Sequence, residues 1–399
     1  MTVLVARADP SSTRSAADLV ARARALAPVL RERAAQAEAA RTLPTETVKE
    51  LKDAGFFRVL QPARFGGLEM GFDVLMDIAI EIGKGCGSCA WVFAVLNSGW
   101  MVAGYPEAAQ LEVWGQHPDA IIGSVLAPSL EVSPVGGGYR IGGRWRFCSG
   151  IDHADWQIVS GFTFPDGGPP EVTLFLLPRQ DYVIEDDWHT AGLRGTGSKT
   201  VVAKDVFVPQ YRAVSMASFR TGSQPGAAVN RNPLYRMPMG IPLPLCLAST
   251  VLGMGLGTYE IWRQWTSRRL TRGVQKVAQQ APVQIRIAEA AAEIDAAELL
   301  LRRDMTEAVQ MLAAGESFTP WHRARSRRDG AYAIELCIRA IDRLFAASGG
   351  SGLYSDNSIQ RAWRDVHAAG AHIGLRWDDA ATTFGRIEFG LGFDNPFFE

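Results

Sequence analysis

Residues 142–156, GGRWRFCSGIDHADW, gather side chains suited to chemistry in one short stretch. Ser149 stands beside Gly150, so a small hydroxyl and a bare backbone can approach a flat ligand closely. Asp152, His153 and Asp155 follow at once, and an imidazole among carboxylates is an acid–base group near neutral pH. An ordinary strand and turn accounts for the same residues. Two other motifs carry less. Cys86-Gly-Ser-Cys89 is formally a CxxC, but it lies in an apolar stretch with no second CxxC and no histidine close by. It reads as small core residues, with no metal site. GMGLG at 253–257 lies in a helical context without a preceding strand, which excludes a dinucleotide fingerprint.

These residues need elements to position them. Alternating bulky and polar residues through Arg144, Trp145, Arg146 and Phe147 predict a half-buried strand that breaks at Cys148-Ser149-Gly150. Around it, residues 118–210 carry short alternating runs separated by Gly and Pro, as in DWQIVSGFTF and KTVVAKDVFVP. This pattern predicts an antiparallel sandwich or barrel. Before it, residues 11–40 predict one long amphipathic helix, kinked or split at Pro28. Thr45 is placed to cap a helix from 46 to 54 that Gly55 closes. Residues 55–72 form a loop, and residues 72–113 a very apolar helical run with Trp91, Phe93 and Trp100. After the strands, Pro-, Gly- and Asn-rich residues 218–240 predict a linker or surface loop. Helical spacing then returns through about 275, and over 282–314, 320–348 and 358–383. The fold class is α+β in three domains: an N-terminal helical domain (1–117), a middle β-domain (118–217) and a C-terminal helical bundle (218–399).

Composition narrows the function classes. The 399 residues suffice for a large core, and the net charge of −1 gives no electrostatic case for nucleic acid or an anionic membrane. Clusters such as 323–328 alternate with apolar residues and read as solvated helix faces. No apolar run reaches the ~20 residues of a membrane span, and the N-terminus lacks a signal-peptide core. Five scattered cysteines argue against a disulfide framework. The expectation is a cytoplasmic protein.

The order of helices, β-domain and helices resembles the acyl-CoA dehydrogenase fold, and three motifs agree in sequence order. They are GFFRVLQPARFGGLEM (55–70), TAGLRGTGSKTVVAKDVFVP (190–209) and SGGSGLYSDNSIQRAWRDVHAAG (348–370). The resemblance implies that Phe147, Cys148 and Ser149 edge a flavin. Ser149 would supply a hydroxyl near N5, and Ser124 would line the same ring. Dehydrogenases of the family need a carboxylate base, in many members the Glu of a Tyr-Glu-Gly-Thr motif after "RD". Laid on Arg364-Asp365, that motif falls on His372-Ile373-Gly374-Leu375, and isoleucine cannot take a proton.

The pattern is similar instead to the oxygenase components of two-component flavin-dependent monooxygenases, whose "SG..HA.W" stands here as Ser149 to Trp156. That branch implies reduced FAD, with FMN as the alternative, delivered by a separate flavin reductase. O2 is the co-substrate, a flavin C4a-hydroperoxide the oxidant, and an aromatic compound the acceptor. Ser149 and His372 become the catalytic residues. Ser98, Trp100, Trp188 and His372 line the substrate pocket. Ser98 stands where relatives place a second histidine, which favours an indole-like ring over a simple phenol. His367, five residues before His372, is poorly placed to share its site. Arg269 and Arg272, with Gly349 and Gly350, would hold the adenosine side of the flavin across a homodimer or homotetramer interface. A flavin dehydrogenase or oxidase with a relocated base is the rival reading.

Overall fold

The computed structural model describes residues 15–129, 131–271 and 274–393 of the chain. Helix α1 (Ala16–Ala40) starts at a reciprocal cap, with Ser15 Oγ accepting from the Asp18 amide and the Asp18 carboxylate accepting from the Ser15 amide. It runs through Pro28 without a break. A proline inside a helix costs about 3 kcal/mol, and burial of Leu19, Ala23, Ala27, Leu30, Ala34 and Ala37 along one face offsets it. Helix α2 (Thr45–Asp53) has Pro44, not Thr45, at its N-cap, with no side-chain cap; Thr45 is already helical.

The apolar run after residue 72 is not one helix. It divides into α3 (Phe72–Gly83), α4 (Gly87–Leu96), α5 (Gly99–Val102) and α6 (Glu107–Trp114). The first break is capped by Cys86, whose Sγ accepts from the Cys89 amide at 3.4 Å. The CxxC is thus a buried helix start.

Two four-stranded sheets follow, and they do not close into a barrel. The strands are β1 (Ile122–Ser129), β2 (Glu131–Val135), β3 (Gly138–Cys148), β4 (Trp156–Thr163), β5 (Glu171–Pro178), β6 (Val183–Glu185), β7 (Lys199–Pro209) and β8 (Ala213–Ser215). Their orders are β1-β4-β5-β8 and β2-β3-β7-β6. The expected antiparallel pairing holds except at β1 and β4, which run parallel with Ile122 opposite Trp156. Parallel neighbours need a long crossover; here β2 and β3 supply it by visiting the other sheet. The Trp145 indole N–H, donating to Ser160 O at 2.7 Å, ties the sheets together through their shared core.

Residues 216–241 are more than a surface linker. Helix α7 (Met216–Thr221) and two short 3-10 turns bury Phe219 and Tyr235, and Tyr235 donates to Leu60 O. The C-terminal part comprises α8 (Pro242–Arg268), a small hairpin of β9 (Leu270–Thr271) and β10 (Gln275–Lys276), α9 (Ala281–Ala314), α10 (Pro320–Ala346), α11 (Ser358–Gly370) and α12 (Trp377–Glu388). The hairpin replaces the last turns of helix expected up to 275. The glycines of GMGLG let α8 approach α3 closely: a Cβ on Gly253 would lie 2.4 Å from Ile80 O, and one on Gly257 2.4 Å from Lys84 O. The helix expected over 358–383 is interrupted, and the turn between α11 and α12 carries His372.

Among the described residues no helix is long and apolar enough to cross a membrane, and no group of three or more His, Cys, Asp or Glu could hold a metal.

Candidate active site

The end of β3 is distorted in a way that sorts its side chains. Its pairing with β7 shifts register between Trp145 and Cys148, and Phe147 sits at φ +66, a left-handed conformation unfavourable for an aromatic residue. The bulge turns the Phe147 ring outward, 61% exposed and edge-on to Trp188 at 6.1 Å. Cys148 turns inward, its Sγ donating to Trp145 O, and burial pushes its thiol up to about 12. Only its backbone is left to meet a ligand. Gly150 follows at φ +71, where a Cβ would strike Leu96 and Val92 at 2.9 Å. The turn therefore presses against α4, and Ser149 faces Trp91 across that contact.

Ser149 is buried and enclosed by hydrogen bonds. The Trp91 indole N–H donates to its Oγ at 3.2 Å, and Ser198 Oγ lies 2.8 Å away. Ser198 Oγ is 2.6 Å from Thr196 Oγ1, which donates to Leu193 O at 2.8 Å. The same carbonyl also accepts from the Trp188 indole at 3.0 Å and the Thr196 amide at 3.2 Å. Leu193 is itself left-handed at φ +49, and its amide donates to Asp365 Oδ1 at 2.7 Å. Burial raises the Asp365 carboxyl to about 6. Asp365 thus acts as an anchor for the turn that carries the serines.

His372 meets the other side of the Trp91 indole, ring centroids 5.5 Å apart and edge-on. Its residue keeps an exposed face, yet desolvation by the surrounding atoms lowers its pKa to about 4. The imidazole is neutral at pH 7. Nδ1 accepts from the Gly374 amide at 3.2 Å, so the ring's one proton sits on Nε2. No protein acceptor takes that proton among the described residues. Ile373, at the position of the dehydrogenase base, is exposed.

A second hydroxyl pair lies where α4 ends. Ser98 donates to Val95 O at 2.7 Å, so Ser124 must donate to Ser98 Oγ across their 2.8 Å contact. The neighbouring Asn97 Oδ1 is buried without a hydrogen-bond partner. Trp100 is buried between Phe72 (5.4 Å) and Phe219 (6.0 Å). Two other histidines are engaged elsewhere. His367 Nε2 contacts Asp342 at 3.0 Å, and His153 Nε2 contacts Thr42 at 3.2 Å, with burial lowering the His153 pKa.

At the far end of the C-terminal bundle, Arg269 lies over the Trp265 ring at 4.1 Å and donates to Ser348 O at 2.9 Å. It has no carboxylate partner among the described residues. Gly349, at φ +61, places its open side 3.9 Å from the guanidinium, and Gly350 has nothing within 4 Å of a built Cβ. Arg272 lies outside the described residues.

The family described as "Acyl-CoA dehydrogenase, N-terminal domain" matches residues 14–116, and "Acyl-CoA dehydrogenase, C-terminal domain" matches residues 245–377. The oxygenase subunit HsaA of a flavin-dependent monooxygenase from Mycobacterium tuberculosis (strain CDC 1551 / Oshkosh) is 40% identical over 369 residues, covering 92% of this chain and 94% of the relative. The chain belongs to the flavin-dependent monooxygenase oxygenase components of the acyl-CoA dehydrogenase fold.

A crystal structure of the HsaA monooxygenase from M. tuberculosis matches this oxygenase with TM-score 0.91 at 39% identity, covering 96% of this chain and 100% of that one. The oxygenase component of an FADH2-dependent resorcinol hydroxylase from Rhizobium sp. (strain MTP-10005) is 36% identical over 394 residues, covering 96% of each. XiaF from Streptomyces sp., solved with FADH2 and glycerol, has TM-score 0.87 at 30% identity, covering 96% of this chain and 97% of that one. The oxygenase uses reduced flavin and O2.

Its residues fit such a ligand. The candidate residues include two hydroxyl pairs, an Asn97 carbonyl buried without a partner among the described residues beside one of them, and Arg269, a cation with no carboxylate partner among the described residues, beside an open glycine loop. Sequence motifs alone proposed Ser149, Ser124, His372 and Arg269 as site residues. They missed the donor role of Trp91, the pair Thr196 and Ser198, and Gly374. The only signal was small hydroxyl residues two apart in GTGS.

Proposed function

We propose that the protein hydroxylates an electron-rich aromatic ring of the phenol or indole class, in the cytoplasm, with reduced FAD supplied by a separate flavin reductase. The junction at Trp91 carries this reading: one indole touches both a buried serine hydroxyl and a neutral histidine whose Nε2 proton is unclaimed. No carboxylate base stands at residue 373, and the nearby Asp365 is already committed to the Leu193 amide. This disfavours a dehydrogenase with a relocated base.

When bound, reduced flavin would supply, together with O2, one oxygen atom for the ring, the other leaving as water. Ser149 holds the central ring of the flavin, and Ser124 and Ser98 bound its edge. The backbones at Phe147 and Cys148 complete the contact. Arg269 neutralises the pyrophosphate beside Gly349 and Gly350, which favours FAD over FMN; Arg272 is assigned to the same pyrophosphate. His372 holds its Nε2 proton toward the reacting oxygen or the substrate hydroxyl. Because Nδ1 is occupied by Gly374, the ring donates and does not abstract, which favours rings that react without prior deprotonation. Trp188 and the Trp100 cluster bound the substrate side, and Trp91 excludes water between the two catalytic groups. The adenosine half is shared across a homodimer within a homotetramer.

The test supplies chemically reduced FAD and 18O2 to the purified protein with a panel of phenols and indoles. Incorporation of one 18O into a ring supports the proposal. Flavin oxidation with only peroxide across the whole panel, or reduction of oxidised FAD by a substrate without any reductase, rejects it.

A further inference from the structure

Hydrogen bonds through hydroxyls have a direction, because each hydroxyl holds one proton. The chain at Ser149 ends on a group that can only accept, the Leu193 carbonyl. Thr196 spends its proton there. Ser198 must therefore donate to Thr196 across their 2.6 Å contact, and Ser149 must donate to Ser198 across 2.8 Å. Trp91 donates into Ser149 from the other side, and an indole N–H cannot accept. Every proton from Trp91 to Leu193 thus runs the same way. Ser149 has spent its only proton and one lone pair. What remains for a ligand is a single lone pair.

We infer that Thr196 and Ser198 are positioning residues that lock Ser149 as a hydrogen-bond acceptor, and that this lock makes the site select reduced over oxidised flavin. The inference rests on the proposed placement of Ser149 at flavin N5. Reduced flavin carries a proton at N5 and can donate to the serine lone pair. Oxidised flavin presents a lone pair at N5, so two acceptors would face each other in a buried site. An oxygenase fed by diffusing reduced flavin needs this preference, because the oxidised product must leave. The lock is well anchored: three donors converge on the Leu193 oxygen, and Asp365 fixes the same residue's amide. Aligned chains of this kind also polarise one another in the same sense.

The experiment measures dissociation constants for oxidised FAD and for anaerobic dithionite-reduced FAD by quenching of tryptophan fluorescence. It uses the full-length protein and the variants Ser198→Ala, Thr196→Val, Thr196→Ser and Ser149→Ala, each checked for a cooperative thermal transition. Freed of its acceptor, Ser149 in Ser198→Ala can turn its proton toward oxidised N5. The reduced-to-oxidised preference should then narrow about tenfold, the worth of one hydrogen bond, mainly through tighter binding of oxidised FAD. Thr196→Val should narrow it likewise, and Thr196→Ser, which keeps the hydroxyl, should restore it. An unchanged preference in Ser198→Ala, or an equal loss of both affinities, overturns the lock even if Ser149→Ala alters flavin binding. If Ser149→Ala leaves both affinities unchanged, Ser149 does not touch the flavin, and the proposed placement falls along with the lock.

Discussion

The ring of His372 meets the indole of Trp91 edge-on at 5.5 Å, and the same indole donates its N–H to Ser149 Oγ at 3.2 Å. Trp91 lies on α4, Ser149 at the end of β3, and His372 in the turn after α11. One buried side chain therefore holds in register groups from all three parts of the fold. Removing it opens the buried Ser149 hydroxyl to water and strips the ring contact from His372. Trp91→Phe keeps an aromatic ring in place but loses the donor and part of the indole volume. It should leave stability within about 2 kcal/mol of wild type while raising the share of flavin oxidation that ends as H2O2. A peroxide assay alongside product quantitation checks this, and unchanged coupling would separate Trp91 from the chemistry.

His372 should behave as a neutral donor across the working range. Its pKa is lowered to about 4, below the ordinary value of 6.5. The unfolded chain takes up this proton as pH falls through 6.5, whereas the folded protein resists until about 4, so the cost of this group to stability is absent above 6.5, grows as pH falls toward 4 and stays in full below it. Product per flavin oxidised should therefore show no titration near 6.5 from this residue. His372→Ala should lower that ratio about tenfold or more at pH 7.5, and His372→Gln, whose amide can still donate, should recover part of it. A profile in wild type that breaks near 6.5 and is lost in His372→Gln would contradict the neutral assignment.

Gly374 positions that ring from behind. A Cβ at residue 374 would lie 3.3 Å from both Cε1 and Nδ1 of His372, closer than side chains normally pack. Gly374→Ala should push the imidazole by a few tenths of an ångström and loosen the Nδ1 contact. The expected outcome is a severalfold loss of coupling with a stability change within about 1 kcal/mol, read by peroxide release and thermal melting. Wild-type coupling in this variant would show that the ring tolerates displacement.

Much of the candidate site could be proposed from sequence because its groups sit in local motifs. Ser149 stands in SGIDHADW, and His372 at a fixed distance from Arg364-Asp365. What escaped depends on contacts between residues far apart in the chain. Trp91 lies in an all-round apolar run whose pattern says only that it is buried, so its donor role had no signal. Ser198 and Thr196 are small polar residues in a turn, where local capping is the ordinary explanation. The parallel pairing of β1 with β4 was hidden because each strand alone carries the same alternation in either direction. The turn at 371–376 was hidden because Ala368, Ala369 and Ala371 favour helix, so the periodicity ran past the point where the backbone leaves it. The breaks at Cys86 and Asn97 do carry turn residues, Gly83, Lys84, Gly85 and Gly87 at the first and Asn97, Ser98 and Gly99 at the second, which the apolar runs on either side outweighed.

Asp365 offers a test of the anchor without touching the site. Its Oδ1 accepts from the Leu193 amide, and burial raises its carboxyl from 3.8 to about 6. The folded state therefore holds this proton more tightly than the unfolded chain. Its contribution to stability is greatest below the unfolded value and declines as pH rises toward 6. Asp365→Asn keeps an acceptor for the amide and cannot ionise. It should fold, retain flavin binding, and lose that part of the pH slope. Asp365→Ala leaves the amide unsatisfied and should cost about 1–3 kcal/mol, with poorer coupling because Leu193 also anchors the serine chain. Urea midpoints of the three proteins from pH 4 to 8 check this. Parallel pH slopes for wild type and Asp365→Asn would show that the carboxyl titrates normally.

Arg269 distinguishes the two flavins. Its guanidinium is held over Trp265 and against Ser348 O with no carboxylate to neutralise it among the described residues, and burial lowers its pKa only from an already high value. The charge is therefore present at any working pH and is available to a pyrophosphate, which FAD has and FMN lacks. Losing one charge-assisted contact costs about 1.5–3 kcal/mol, or roughly tenfold to a hundredfold in affinity. Arg269→Ala should weaken reduced FAD by that factor and leave reduced FMN nearly unchanged, and the FAD affinity of wild type should fall more steeply with salt than that of the variant. Arg269→Lys keeps the charge but not the planar fork, and should fall between the two. Equal weakening of FAD and FMN would mean that Arg269 supports only the local fold and that the pyrophosphate is held elsewhere.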